Sequence, residues 1–175
     1  MDKNIRLAYV SDEHLDCLNT FELPEEQMQY TRLPRDVSDL QEWQYPIVIL
    51  AGEEPVGFFL LHRTERVKEF TGNPDAILLT AFSIDFRQQG KGYAKQSLQA
   101  LPGFVATQFP GCDEVVLAVN HKNIPAQNVY RKTGFSDTGI RRMGPRGEQF
   151  IMRLIIPGTG GEREGGNETV WRRDS

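Results

Sequence analysis

Cysteine is scarce: Cys17 and Cys112 are the two in 175 residues, and neither has a second Cys beside it at ligand spacing. A disulfide framework and a thiolate zinc site are thereby excluded, and the expectation is two reduced core thiols and no metal. Long apolar runs are missing as well. The longest, Ile47–Ala51 and Val56–Leu61, are strand-sized and far short of the roughly 20 residues a membrane span needs. A basic excess is also lacking. The 20 Lys and Arg stand against 24 Asp and Glu, a net charge of −4, which is not the electrostatic footprint of a nucleic-acid binder. The opening Met1-Asp2-Lys3-Asn4 carries no apolar segment of the secretory kind, so the expected setting is cytoplasmic.

What is present has ordinary globular composition, with a length that suits one core. Ile5–Val10 alternates with period two and reads as a strand; Ser11-Asp12-Glu13 then opens a helix carrying Leu15, Leu18 and Phe21. Pro24–Tyr30 starts with Pro and two acids, as a second short helix does, and Leu33–Trp43 has a partly helical pattern that stops before Pro46. Ile47–Ala51 and Val56–His62 flank turn chemistry and predict a hairpin. Arg63–Asp75 reads as a loop, Ala76–Ile84 as the most buried strand, and Glu114–Val119 as another β-branched strand.

Between those two strands, Ala94, Leu98 and Leu101 lie on one helical face, with an interruption expected at Pro102-Gly103. Asn123-Ile124-Pro125-Ala126 opens a further helix that ends at Gly134, and Gly139–Met143 and Gln149–Ile155 flank a last turn. The domain is expected over residues 1–156. From Pro157 to Ser175 the chain changes character, with five Gly, seven charged residues and one apolar pair, Val170-Trp171, so it reads as a tail that Trp171 pins to a surface. The tail and the Gln149–Ile155 strand are the expected contacts of a homodimer, by edge pairing or swapping.

The chemistry concentrates where the Ala76–Ile84 strand runs through a glycine-spaced turn into a helix. Glycines let backbone N–H groups approach an anion, and a helix N-terminus offers unsatisfied donors and partial positive charge. Each charge-assisted bond contributes about 1.5–3 kcal/mol. The same glycines can equally serve only to make a tight turn. A P-loop is absent, and Lys95 stands where a dinucleotide fingerprint needs its third glycine.

Gln89-Gly90-Lys91-Gly92-Tyr93-Ala94 resembles the Gln/Arg-x-x-Gly-x-Gly/Ala signature of the GCN5-related N-acetyltransferase (GNAT) superfamily. A second block, Leu117–Ala126 followed by Tyr130-Arg131-Lys132-Thr133-Gly134-Phe135, resembles that family's strand–Asn-x-x-Ala–helix–Tyr block at the expected separation. The resemblance covers Ile5 to Leu154. It implies an α/β (α+β) acyl-CoA N-acyltransferase fold, a mixed sheet of six to seven strands splayed between the fourth and fifth and flanked by helices. It also implies acetyl-coenzyme A as co-substrate. The pyrophosphate would meet backbone donors of Gln89, Gly90, Lys91, Gly92, Tyr93 and Ala94, with Lys95 adding charge. The pantetheine arm would lie along Phe82, Ser83 and Ile84, where a backbone N–H can polarise the thioester. Asn123 and Ala126 would flank it.

Tyr130 is then the expected catalytic acid for the leaving thiolate, against the blander reading of a core aromatic. Asn123 has a helix N-cap as its blander role. Relatives often carry a carboxylate or His on the strand occupied here by Ile77–Ile84, which offers only Thr80 and Ser83 as polar side chains. A carboxylate acting through water, with Glu26 as the choice among Glu22, Glu25 and Glu26, is the expected base. His62 and His121 read as hydrogen-bonded strand ends, and His14 as a surface residue. The acceptor is expected to be the primary amine of a small molecule, with neither nucleic acid nor membrane as a partner. The chain looks similar to bacterial spermine/spermidine-type and small-amine acetyltransferases, but lacks the acid and base that those relatives often carry where Thr80-Ala81 stand, which leaves an aminoglycoside, an amino-acid-like amine or a peptide N-terminus open. An acyl-coenzyme A sensor without turnover is the alternative.

Overall fold

The computed structural model describes residues 4–157, so the Gly-rich tail from residue 158 onward, with Trp171, lies outside the described residues. Seven strands form one mixed sheet in the order β1-β2-β3-β4-β5-β7-β6. They are β1 (Ile5–Tyr9), β2 (Gln44–Ala51), β3 (Glu54–His62), β4 (Ala76–Ile84), β5 (Glu114–Asn120), β6 (Ser136–Gly144) and β7 (Gly147–Ile155). Every neighbouring pair is antiparallel except β4 and β5, which are parallel and joined by the 16-residue helix α3 (Tyr93–Gln108). A parallel connection needs such a crossover. Two short helices, α1 (Asp12–Leu18) and α2 (Glu25–Met28), lie between β1 and β2, and α4 (Ile124–Lys132) follows β5.

The apolar residues divide by strand parity between the two faces. On one face Ile47, Ile49, Phe59, Leu61, Ile77 and Leu79 pack with Leu98, Leu101 and Val105 of α3 and with Tyr130 of α4. On the other, Val48, Leu50, Phe58 and Leu60 pack with Leu18, Phe21, Leu23 and Leu33 from the α1–α2 segment. Cys112 is buried in the first cluster, Cys17 packs against the second, and both are free thiols.

Several local expectations are corrected. β2 begins at Gln44 and passes through Pro46, because β1 ends opposite Ile47 and Val10 N–H donates to the Pro46 carbonyl, so no N–H is needed from the proline. Within Leu33–Trp43 only Pro34–Asp36 forms a turn of 3₁₀-helix. The loop from Arg63 holds another, Glu65–Glu69, whose Val67 is buried with Phe70 against Leu78, Val116 and Ile151. α3 runs on through Pro102 without a break. His14 is buried, its Nδ1 accepting Ser11 N–H at 3.0 Å and closing the helix start. Gln149–Ile155 is no edge: β7 is paired by β5 on one side and β6 on the other, so strand pairing with a second copy there is closed off.

Candidate active site

The parallel pair β4–β5 stays together for only three residues, Ala76–Leu78 against Glu114–Val116. That end is clamped. Buried Glu114 takes Arg153 Nε at 3.0 Å, Thr71 Oγ1 at 3.2 Å and Asn73 Nδ2 at 3.1 Å, while Asn73 also bonds Asp113 at 2.8 Å. Beyond Leu78 the strands part. On its other edge β4 carries a bulge: Leu60 pairs with Thr80 and Phe58 with Ser83, so Ala81 and Phe82 stand opposite the single Phe59. Ala81 has φ +58°, a left-handed conformation that costs a residue with a Cβ about 1 kcal/mol. Such a bulge bends and twists its strand, and here it turns the end of β4 away from β5.

The gap is a cleft of about 520 Å³. Its walls are Leu79–Ile84 of β4, Leu117–Asn120 of β5, the turn before α3, and Ala126, Val129 and Tyr130 of α4. Because the sheet itself is open there, the lining also includes Leu23, Gln27, Tyr30 and Thr31 from the opposite face. Two side-chain hydroxyls in the lining, Ser83 Oγ and Thr31 Oγ1, are buried with no partner among the described residues. A buried hydroxyl left unpaired costs roughly 1–3 kcal/mol, so both favour a ligand with polar groups along its length.

At one end, Gly90 and Gly92 have φ of +80° and +85°, and Gly92 caps α3 with no side-chain bond. Gln96 N–H already bonds the Gly92 carbonyl, which leaves Tyr93, Ala94 and Lys95 as the uncapped first-turn donors. A Cβ on Gly90 would project into open space. Such a turn can cradle an anion. It is held in place by Gln89, whose Nε2 donates to the Ile84 carbonyl at 2.8 Å and to Gln27 Oε1 at 2.9 Å. Buried Asp85 ties the same corner to the α1–α2 linker through Glu22 N–H and Arg87.

At the other end, Tyr130 is buried, its ring edge-on to Phe82 at 6.3 Å. Burial pushes its phenol well above the ordinary tyrosine range, so Oη holds its proton at neutral pH. Asn123 caps α4 through Oδ1 to Ala126 N–H at 3.4 Å and lines the cleft at the same time.

The cleft gathers Tyr130, Phe82, Ser83, Ile84, Gln89, Gly90, Gly92, Tyr93, Ala94, Lys95, Asn123 and Ala126. Two expected residues stay outside its lining. Lys91 is exposed and bonds Gln88, and Glu26 is exposed on α2 with its carbonyl taken by Gln29. Glu22 and Glu25 are exposed too, and among the described residues no Asp or Glu lines the cleft. Sequence reasoning missed Thr31 and Arg146. The first stands in a stretch without periodicity. The second is carried in by the Gly144–Gly147 turn, whose Arg146 carbonyl accepts Asn120 Nδ2 at 3.0 Å.

Residues 13–135 match the sequence profile described as the acetyltransferase (GNAT) family. The chain is 45% identical over 161 residues to an uncharacterized N-acetyltransferase, YbbJ, of Bacillus subtilis (strain 168), covering 89% of this chain and 100% of that one. It is 27% identical to a spermine/spermidine N(1)-acetyltransferase of the same strain, over 87% of this chain and 99% of the relative. Among solved structures it resembles aminoglycoside acetyltransferase AAC(6')-Ib in complex with coenzyme A and kanamycin, with TM-score 0.72, 17% identity and coverage of 91% and 99%. The chain belongs to the GNAT family of acetyltransferases. It is an N-acetyltransferase whose co-substrate is acetyl-coenzyme A.

Proposed function

We propose that this chain transfers acetyl directly to the primary amine of a small-molecule acceptor, with both substrates bound together in the β4–β5 cleft. The observation that carries the reading is the continuity of that cleft. It runs from the donors of the α3 N-terminus along the bulged half of β4 to Tyr130, and its lining comes from both faces of the sheet. A co-substrate entering from one face and an amine from the other would meet at the bulge.

Tyr93, Ala94 and Lys95 N–H groups hold the pyrophosphate, with Lys95 and Arg146 as the charged side chains of the lining. The free edges of β4 and β5 offer peptide groups to the pantetheine amides in the manner of an added strand. Acetyl-coenzyme A supplies the thioester carbonyl that the amine attacks. As the C–S bond breaks, Tyr130 Oη gives its proton to the leaving sulfur and the phenolate takes back the proton shed by the newly bonded nitrogen, the role its held proton and its place in the lining suit. Gln27, Tyr30 and Thr31 wall the acceptor side. The acceptor class is taken from the small amines named for the relatives, spermine and spermidine among them.

The test is thiol release from acetyl-coenzyme A across spermine, spermidine, kanamycin, amino-acid amides and simple alkylamines, with intact mass of the protein followed alongside. Release with one amine class, an acetylated product and an unmodified protein are expected. A protein that gains an acetyl group on its own chain, or releases no thiol with any amine, overturns the reading.

A further inference from the structure

His62 ends β3 opposite Leu78, two positions from the Leu60–Thr80 pair, so the His62 and Thr80 side chains are diagonal neighbours on one face of the sheet. His62 is 1% exposed, yet its Nε2 lies 2.6 Å from Thr80 Oγ1, and Thr80 lines the cleft next to the Ala81 bulge. A buried imidazole aimed at a hydroxyl in the reaction cleft is not accounted for by packing alone.

The surrounding bonds fix the direction of that contact. Gln44 Oε1 accepts Gln41 N–H at 2.8 Å, which turns Gln44 Nε2 toward His62 Nδ1 at 3.5 Å. Nδ1 therefore faces a donor and acts as acceptor. In the neutral ring the hydrogen then sits on Nε2 and is donated to Thr80 Oγ1. Burial first, then Arg66 and Arg32, pulls the His62 pKa from 6.5 down to about 4, so the ring is neutral at physiological pH and brings no positive charge toward an incoming amine. The Trp43 ring, centred 6.1 Å from the imidazole, is the uncharged neighbour on the same side.

A threonine hydroxyl has two lone pairs and one hydrogen. With one lone pair taken by His62 and no other partner among the described residues, the second lone pair and the hydrogen remain for the cleft. The cleft's described lining has no carboxylate, so neutral oxygens are what it offers to an amine on this side. We propose that Thr80 Oγ1 receives an N–H of the acceptor amine and so aims its lone pair at the thioester, with His62 as the positioning residue that fixes the Thr80 rotamer. The inference rests on the acyl-transfer reading above and names the group in that site that orients the nucleophile.

The test compares wild type, Thr80→Val and Thr80→Ser in the full chain, with spermine as the probe amine and acetyl-coenzyme A saturating. Thr80→Val should lose roughly 10- to 100-fold in kcat/KM for spermine, with acetyl-coenzyme A affinity within twofold and Tm lower by a few degrees, since the buried His62 Nε2–H loses its acceptor. Thr80→Ser should recover most of the loss. An unchanged kcat/KM in Thr80→Val overturns the proposal, as does a loss matched by acetyl-coenzyme A affinity or one that serine fails to restore. A second readout needs no turnover. Nitrogen NMR of histidine-labelled protein should show His62 as the Nε2–H tautomer at pH 7, with its Nε2 resonance displaced in Thr80→Val and again when spermine is added to wild type. The Nδ1–H tautomer, or a His62 signal blind to both changes, overturns the proposal even where thiol release itself succeeds. A wild type with the expected tautomer and spermine response but no thiol release would instead overturn the acyl-transfer reading.

Discussion

At the scale of single residues, the site depends on groups whose surroundings leave one property free. Tyr130 packs against Phe82 and Phe135, and its hydroxyl makes no hydrogen bond to the described residues, so the hydroxyl has no structural duty to set against the proton-donor role proposed above. Tyr130→Phe should therefore fold with little change in Tm, bind acetyl-coenzyme A as before, and lose about 10²-fold or more in kcat. Because its pKa is raised above the ordinary 10.0, ionisation of Tyr130 produces no alkaline fall in rate below about pH 10. Rate measurements on both proteins from pH 6 to 10 check both points. A variant that retains full kcat removes Tyr130 from the chemistry.

At the scale of elements, the bulged half of β4 is the part that positions everything else. Gly57 on β3 pairs with Ile84 there, and its lack of a side chain is required by closeness. A Cβ would stand 2.7 Å from both Ile49 Cδ1 and Ile84 Cδ1 and 3.0 Å from the Ser83 carbonyl oxygen. Gly57→Ala should destabilise the protein by about 1–3 kcal/mol, read as a lower urea midpoint at unchanged m-value. It should also weaken acetyl-coenzyme A binding, since the displaced carbonyl belongs to the strand that lines the cleft. Unaltered stability would show that β3 and β4 can separate there at no cost.

The strands themselves were legible, since the period-two run Ile5–Val10 and the largely apolar runs Val56–His62 and Ala76–Ile84 announce them. The bulge was not: nothing in Leu79-Thr80-Ala81-Phe82 marks a left-handed residue, and alanine there is a tertiary choice imposed by pairing with β3 on one side and release from β5 on the other. The 3₁₀ turns at Pro34–Asp36 and Glu65–Glu69 were equally hidden, because three to five residues carry too little periodicity to distinguish a turn from a loop.

At the scale of the whole molecule, the sheet order explains why the two signature blocks, about thirty residues apart in sequence, share one cleft. α3 returns the chain so that β5 lies beside β4, and the two strands then diverge with α3 and α4 on the same face. That much was implied by the family resemblance that the glycine-spaced turn and the Asn-to-Tyr block carry. The contribution of the other face did not, because Tyr30 and Thr31 reach the cleft only through a gap in the sheet that local patterns do not encode. The expected Glu26 shows the same limit: an acid on a short helix was placed near the acceptor by sequence, and the fold turns it to solvent. Among the described residues no helix is long and apolar enough to cross a membrane, and no cluster of metal-ligating side chains occurs.

Binding of acetyl-coenzyme A by the Gly90–Gly92 turn together with the split between β4 and β5 is tested by a thermal-shift titration. The titration uses wild type and Gly92→Val, a β-branched residue at a backbone φ of +85°. At a ligand concentration of 100 times Kd the folded state gains about 2.7 kcal/mol, roughly 5–11 °C of Tm for a chain of this size. A saturable rise of that order is expected in wild type, and a much smaller one in Gly92→Val at equal acetyl-coenzyme A. A wild type whose Tm does not move up to millimolar acetyl-coenzyme A, or a Gly92→Val that responds as wild type does, would contradict binding there.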